Sequence, residues 1–353
     1  MPAGPSLKSV AKAAGVSVST VSNAYNKPQQ LSAKLRDRIL RIAREQGYAG
    51  PDAAARSLRS GHAGALGVLL TEQLHYAFSD PYAVGLLAGL AEVAEQSHTG
   101  LLLIPVAPKS DTDGRLMESS VQAVRQAVVD GIVAYCIDED HPAVNVIRRR
   151  RLPIVGTTDV EDFTHHVLID ETGATRGLGE RIRKLGHRHV GVILTSHSHA
   201  DGLTVADADQ IELQDFEQER LRGLREGLGP HVRVTAATGG YNSIESGRAA
   251  AAELLDRSDR PTALMATSDV MALGALQALE ERRLTPGRDV SVTGFDDIPA
   301  AAGAGLTTVR QPIAERGRIM GRMLLDPEYL ETRVTLPTDV VVRASTGPVP
   351  PQT

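Results

Sequence analysis

From Gly64 to about Phe295, short apolar runs alternate with amphipathic stretches, and this alternation limits the fold more than any other feature. The runs are ALGVLL, GLLLIPV, GIVAYCI, LPIVGT, HVLI, HVGVILT, VRVTAA, ALMAT and VSVTGF. Each is short enough for a strand and too uniformly apolar for a strand with one wet face. Helical periodicity is expected between them, over 82–96, 114–129, 142–150, 172–185, 214–228, 243–257 and 269–283. A repeated strand–helix unit implies parallel sheets covered on both faces. About ten strands are too many for one comfortable sheet, so two doubly wound halves are expected, with a ligand cleft at the carboxyl ends of the strands.

The first 50 residues have a different pattern. SLKSVAKAAGVSVSTVSNAYN, residues 6–26, reads as two short helices joined by a tight turn. Ser6 and Ser17 are placed as N-caps, and Gly15 supplies the permissive backbone between the helices. Val10, Ala13 and Ala14 form the expected inner face of the first helix, and Thr20, Val21 and Ala24 lie along the second. Leu35, Ile39 and Ile42 mark a third helix that ends at Gly47. The first two helices make a helix-turn-helix, a motif whose second helix can lie in the DNA major groove.

Charge supports the division. Residues 1–62 hold ten Lys and Arg against three acids, while the whole chain carries a formal charge of −5. A basic head on an acidic body is the electrostatic footprint of a nucleic-acid module joined to something else. Cys136 is the only cysteine, which excludes a disulfide framework or a thiolate cluster within one chain. The sequence has no apolar run of bilayer-spanning length, and charge and glycine interrupt the N-terminus before any signal-peptide core forms. A cytoplasmic protein without a membrane or metal partner is expected. His197, His199 and Asp201 have a ligand-like spacing, but the acidic loop around them, 196–214, is read as a solvated loop. GATRGLG, 173–179, falls inside a helix and so makes no phosphate loop.

The motifs VAKAAGVSVSTVSNAYN, LSAKLRDRILRIAREQGY, ARSL, LGHRHVGVI, TSDVMALGAL, VSVTGFDD and LTTVRQP, in this order, resemble the lac-repressor (LacI/GalR) family of bacterial regulators. The resemblance runs from Leu7 to about Ala344. It implies an all-α helix-turn-helix head and an α/β core like that of the periplasmic binding proteins, made of two doubly wound parallel-sheet subdomains. The expected division is a head over 1–50 and a hinge helix and linker over 51–62. An effector-binding core follows over 63–345, then a disordered tail over 346–353. Within the core, one subdomain is expected over 63–160 and 292–318, the other over 161–291 and 319–345. The resemblance also implies a homodimer on a pseudo-palindromic operator, with a tetramer left open, and a small effector, commonly a sugar or nucleobase.

In the head, the resemblance places Val18, Ser19 and Asn23 at base edges. Val18 suits a thymine methyl, and Asn23 can pair bidentately with adenine. Ser17, Thr20, Ser22 and Asn26 are expected on phosphate. PDAAARSLRSG, 51–61, lacks a core-facing stripe and is marginal as an isolated helix. It resembles the family's hinge helix, with Ala55, Leu58 and Arg59 at the DNA and Leu58 as a minor-groove wedge.

In the core, Arg220 interrupts the apolar stripe Phe216, Leu224, Leu228. A guanidinium there needs a partner, either a ligand or a buried acid. Asp269 follows the strand ALMAT and reads as a helix cap or, by resemblance, as a ligand-binding acid beside the capping Ser268. Tyr241 matches the family's ring-stacking aromatic. Phe78, Asp80 and Tyr82 cluster after the first strand, and Asp138 follows GIVAYCI. Asp296 completes the candidate effector set, with Asp297 beside it as support. No nucleophile–base pair or paired carboxylates emerge, so an enzyme is not expected. Neither is a cofactor. A transcriptional repressor controlled by a sugar or sugar derivative is the leading reading, against a soluble small-molecule receptor or a nucleobase-responsive regulator.

Overall fold

The computed structural model describes residues 5–51, 61–70, 74–107, 114–137, 139, 141–195, 204–207, 213, 215–238 and 241–350. The chain divides into two compact units, Met1–Gly64 and Ala65–Thr353.

The first unit holds three helices, α1 (Leu7–Ala14), α2 (Val18–Asn26) and α3 (Ala33–Glu45). Ser6, Ser17 and Ser32 cap them by accepting the backbone N–H of Ser9, Thr20 and Leu35 respectively. These caps satisfy donors that a helix end leaves without partners. Gly15 takes the left-handed conformation, φ 62°, that lets α1 turn into α2. The core is Val10, Ala11, Ala14, Val21, Ala24, Ile39 and Ala43. Ala11, not the expected Ala13, completes the inner face of α1, because residues 10, 11 and 14 share one side of the helix and Ala13 is exposed.

The second unit opens with β1 (Ala65–Leu70), α4 (Leu74–Ala77), α5 (Pro81–Gln96), β2 (Gly100–Pro105), α6 (Arg115–Gln126), β3 (Gly131–Tyr135), α7 (Pro142–Arg150), β4 (Ile154–Gly156) and β5 (His165–Ile169). It continues with α8 (Glu171–Lys184), β6 (His189–Leu194), β7 (Thr204–Asp207), α9 (Asp215–Leu228), β8 (Arg233–Thr238), α10 (Ile244–Leu255), β9 (Ala263–Ala266), α11 (Asp269–Glu281) and β10 (Ser291–Thr293). The last elements are α12 (Pro299–Gly303), β11 (Thr308–Arg310), α13 (Ile313–Leu325), β12 (Arg333–Leu336) and β13 (Asp339–Val341).

Two sheets result. The first has strand order β12-β5-β4-β3-β1-β2 and the second β10-β9-β6-β8-β7. The first is parallel throughout, and in the second only β7, against β8, runs antiparallel. The expected boundaries shift accordingly, and the core runs past 345: Gly347 and Val349 donate backbone N–H groups to Ser291 Oγ and the Leu185 carbonyl, within the expected disordered tail over 346–353. β5 pairs with β4 and β12, so the first lobe runs on to about residue 169, past the expected limit of 160. β10 pairs with β9 in the second lobe, whereas α13 packs on α5 in the first. The chain therefore crosses between lobes three times: after β5, between β11 and α13, and between β12 and β13. β11 and β13 pair antiparallel beside two of those crossings.

Close helix pairs cover the sheets. A Cβ at Gly89 on α5 would overlap the Ala314 carbonyl oxygen of α13, and one at Gly179 on α8 would overlap the Leu224 carbonyl of α9. The glycine-bearing stretch 173–179 thus serves helix packing. Gly89→Ala must push α5 and α13 apart. It is expected to lower the stability of the core by about 1–3 kcal/mol, seen as a lower urea midpoint with an unchanged slope.

Candidate DNA-reading and effector sites

The capped start of α2 exposes the reading residues. Val18 is 42% exposed, so its side chain is accessible at the start of the helix. Ser17 caps the helix, and its Oγ lies 2.7 Å from both Ser19 Oγ and Thr20 Oγ1. Asn23 is half-buried and donates through Nδ2 to Gln30 Oε1 at 3.2 Å, which orients the amide. Asn26 donates to Ser22 Oγ. Arg38 donates to the Ala14 carbonyl at 2.7 Å and closes the end of α1. Ala55, Leu58 and Arg59 lie outside the described residues, as does most of 196–214.

In the second unit, a cleft of about 880 Å³, including its open mouth, lies at the carboxyl ends of the strands of both lobes. In the first lobe Asp80 caps α5, accepting the backbone N–H of Tyr82 at 3.2 Å and of Ala83 at 3.3 Å. It also accepts the Tyr135 hydroxyl at 3.3 Å. Tyr82 and Tyr135 stack at 5.5 Å, so the apolar rings and the carboxylate form one surface. Arg316, from α13, lies beneath them. It donates to the Val167 carbonyl (2.8 Å), the Tyr82 hydroxyl (2.8 Å) and the Thr157 carbonyl (2.7 Å). Cys136 also lines the cleft, and burial pushes its thiol up to about 12, so it stays protonated.

In the second lobe Arg220 projects from α9. Its Nε donates to Glu171 Oε2 at 2.7 Å, and its Nη1 donates to the Thr267 carbonyl at 2.6 Å. Its guanidinium carbon lies 3.7 Å from the centre of the Phe295 ring, a cation–π contact. Asp296 faces the same cleft and accepts Gln311 Nε2 at 2.6 Å. Burial raises its carboxyl well above the usual range, against the pull of Arg220. At the mouth, Tyr241 stacks on Tyr76 at 5.5 Å, and the Tyr76 hydroxyl donates to the Asn242 carbonyl at 2.7 Å. These two contacts bridge the lobes.

The cleft therefore brings together Asp80, Tyr82, Arg220, Tyr241 and Asp296 of the expected set. Phe78 is 62% exposed and does not line it; Tyr76, two residues earlier, does. Asp138 lies outside the described residues. Asp269 is fully buried away from the cleft, where it accepts the Ile298 N–H at 2.9 Å and the Thr308 hydroxyl at 2.5 Å. Its neighbour Ser268, the cap of α11, faces the cleft instead. Sequence reasoning missed Glu171, Tyr76, Tyr135 and Arg316. Of these, Arg316 carried the same signal as Arg220, a charge set among apolar helix positions such as Met320 and Met323.

Residues 6–50 match the bacterial regulatory proteins of the lacI family, and 180–346 match a periplasmic binding protein-like domain. An HTH-type transcriptional regulator of Mycolicibacterium smegmatis is 39% identical over 359 residues, covering 97% of this chain and 96% of that protein. This chain belongs to the LacI family. The family consists of DNA-binding transcriptional regulators, not enzymes. A LacI-family regulator from Corynebacterium glutamicum is 34% identical, with a TM-score of 0.71, and the match covers 96% of this chain and 98% of that one. The transcriptional regulator CelR, solved as a cellobiose complex, is 26% identical with a TM-score of 0.66, over 97% and 99% of the two chains. No helix among the described residues is long and apolar enough to cross a membrane.

Burial raises the Asp269 carboxyl from 3.8 to about 7, even though its hydrogen bonds oppose the shift. Folding thus favours the protonated form. The stability this group supplies is full below about pH 4 and is lost as the pH rises through about 7. Asp269→Asn keeps an acceptor for the Ile298 N–H and removes the ionisation. Urea unfolding should show a shallower decline between those pH values for the variant than for the wild type, and parallel curves would count against this assignment.

Proposed function

We propose that this LacI-family regulator is a sequence-specific repressor whose operator affinity is set by a small polyhydroxylated effector in the core cleft. The observation that carries the reading is the cleft's chemistry: two arginines, three acidic side chains and stacked tyrosines converge where parallel strands end. Charged forks and carboxylates suit hydroxyl groups, and ring faces suit the C–H surface of a sugar. That CelR was solved with cellobiose supports this class of ligand. Val18, Ser19 and Asn23 would read bases, with Ser17, Thr20, Ser22 and Asn26 on phosphates. The working form is a homodimer, and residues 51–62 join head to core as a hinge that folds on the operator, with Ala55, Leu58 and Arg59 at the minor groove. The effector would change the spacing of the paired first lobes and so unpair the hinges.

Two measurements test this. Asn23→Ala should lose discrimination at one base pair per half-site, costing about 1–3 kcal/mol, read by titrating an operator and its single-base variants. Unchanged base preference removes Asn23 from the reading set. Leu58→Ala should weaken operator binding by a few kcal/mol and reduce DNA bending, with little effect on random DNA, where phosphate contacts dominate. A variant that binds and bends the operator normally rules out the wedge.

A further inference from the structure

Resting on the effector reading above, we propose that the cleft takes an uncharged polyhydroxylated ligand and excludes the phosphorylated or carboxylated derivatives of the same compound. Among the described residues, the cations lining the cleft are Arg220 and Arg316. Neither is held ready for an anion. Glu171 accepts from Nε and Nη2 of Arg220 and so neutralises its charge, while Nη1 donates to a backbone carbonyl. All three nitrogens of Arg316 donate to protein acceptors. Each guanidinium keeps only one N–H on each Nη for a ligand, which suits hydroxyl oxygens. A phosphate, by contrast, gains most from a guanidinium fork whose donors are all free.

Asp80 and Asp296 sit in the same cleft with little solvent between them; burial favours the protonated form of both, and an anionic group would be opposed by whichever of them is ionised. The sequence around the strand ends has the same bias. The connections β1–α5, β3–α7, β4–β5, β6–α9, β8–α10, β9–α11 and β10–α12 hold fourteen Asp and Glu and no Lys or Arg. Three of these acids are committed elsewhere, Asp159 to Arg333, Asp162 to Arg148 and Asp297 to Arg310 and Arg343. Lys109, in the connection after the edge strand β2, is the one basic residue in the comparable segments of the two sheets. A cationic ligand fits less well, because it would meet both arginines in the cleft itself.

The test is calorimetric titration of the full-length protein with matched pairs: D-ribose and ribose 5-phosphate, D-glucose and glucose 6-phosphate, D-fructose and fructose 6-phosphate. Cellobiose, D-glucuronate, D-glucosamine and inorganic phosphate complete the panel. The expected result is that at least one neutral compound binds. Its anionic partner should bind at least about tenfold more weakly, a difference of about 1.4 kcal/mol, and inorganic phosphate should not bind.

A phosphorylated or carboxylated member binding as tightly as its parent, or D-glucosamine outbinding every neutral compound, overturns the inference and leaves the regulator reading standing. If no compound in the panel binds, the sugar reading of the cleft falls and the inference falls with it. Asp80→Asn with Asp296→Asn gives a second readout. Removing both acids should move the ratio of phosphorylated to neutral affinity at least about tenfold toward the phosphate, whatever happens to affinity overall. Asp80→Asn alone, which retains a cap on α5, gives the same readout where the pair does not fold. An unmoved ratio means these carboxylates do not set charge selectivity.

Discussion

Two buried guanidinium ions organise the core. Burying an ion costs several kcal/mol unless its donors are satisfied, and the two arginines meet that cost differently. Arg220 takes a carboxylate, a carbonyl and an aromatic face, which ties α9 to the start of α8 and the end of β9. Arg316 has no carboxylate among its hydrogen-bond acceptors. It takes the carbonyls of Val167 and Thr157 and the Tyr82 hydroxyl. Strand ends leave carbonyls without ladder partners, and a planar fork of five donors can collect several at once. The floor of the cleft is therefore fixed from below by α13, the helix that returns to the first lobe after the second lobe is built. Tyr82 takes its position from that contact, and Tyr135 stacks on Tyr82 and donates to Asp80.

The fold was legible where burial repeats with a period. Nine apolar runs appear as strands because a parallel strand covered on both faces has no polar alternation to confuse with anything else. The return segment after β10 was not legible. β12 and β13 are short and partly exposed, and α13 mixes glycine, arginine and methionine along its buried face. Subdomain boundaries failed for the same reason, since β5 looks identical in sequence whichever sheet accepts it. Within the site, Arg220 was visible as a charge breaking a stripe. Glu171, its partner, was not, because an acid in the first turn of a helix is already explained by the helix dipole. Asp269 and Ser268 show the limit of reading one residue at a time. Both begin α11, but the helix start turns the serine to the cleft and the aspartate inward toward Gly294 and Thr308.

Three crossings between the lobes have a consequence for how the protein is made. The head closes its hydrophobic core with residues between Val10 and Ala43, so its contacts are complete once about the first fiftieth residue has left the ribosome. Neither lobe has that independence. The first sheet waits for β12, and the second lobe is pinned by Ser345 and Gly347, whose backbone and side chain reach Val292, Ser291 and the buried His187. During synthesis the nascent chain thus carries a finished DNA reader ahead of an unfinished sensor for nearly its whole length. A chain that stops short of residue 330 lacks an edge strand of one lobe and the anchor of the other, while every residue of the head's core is already present.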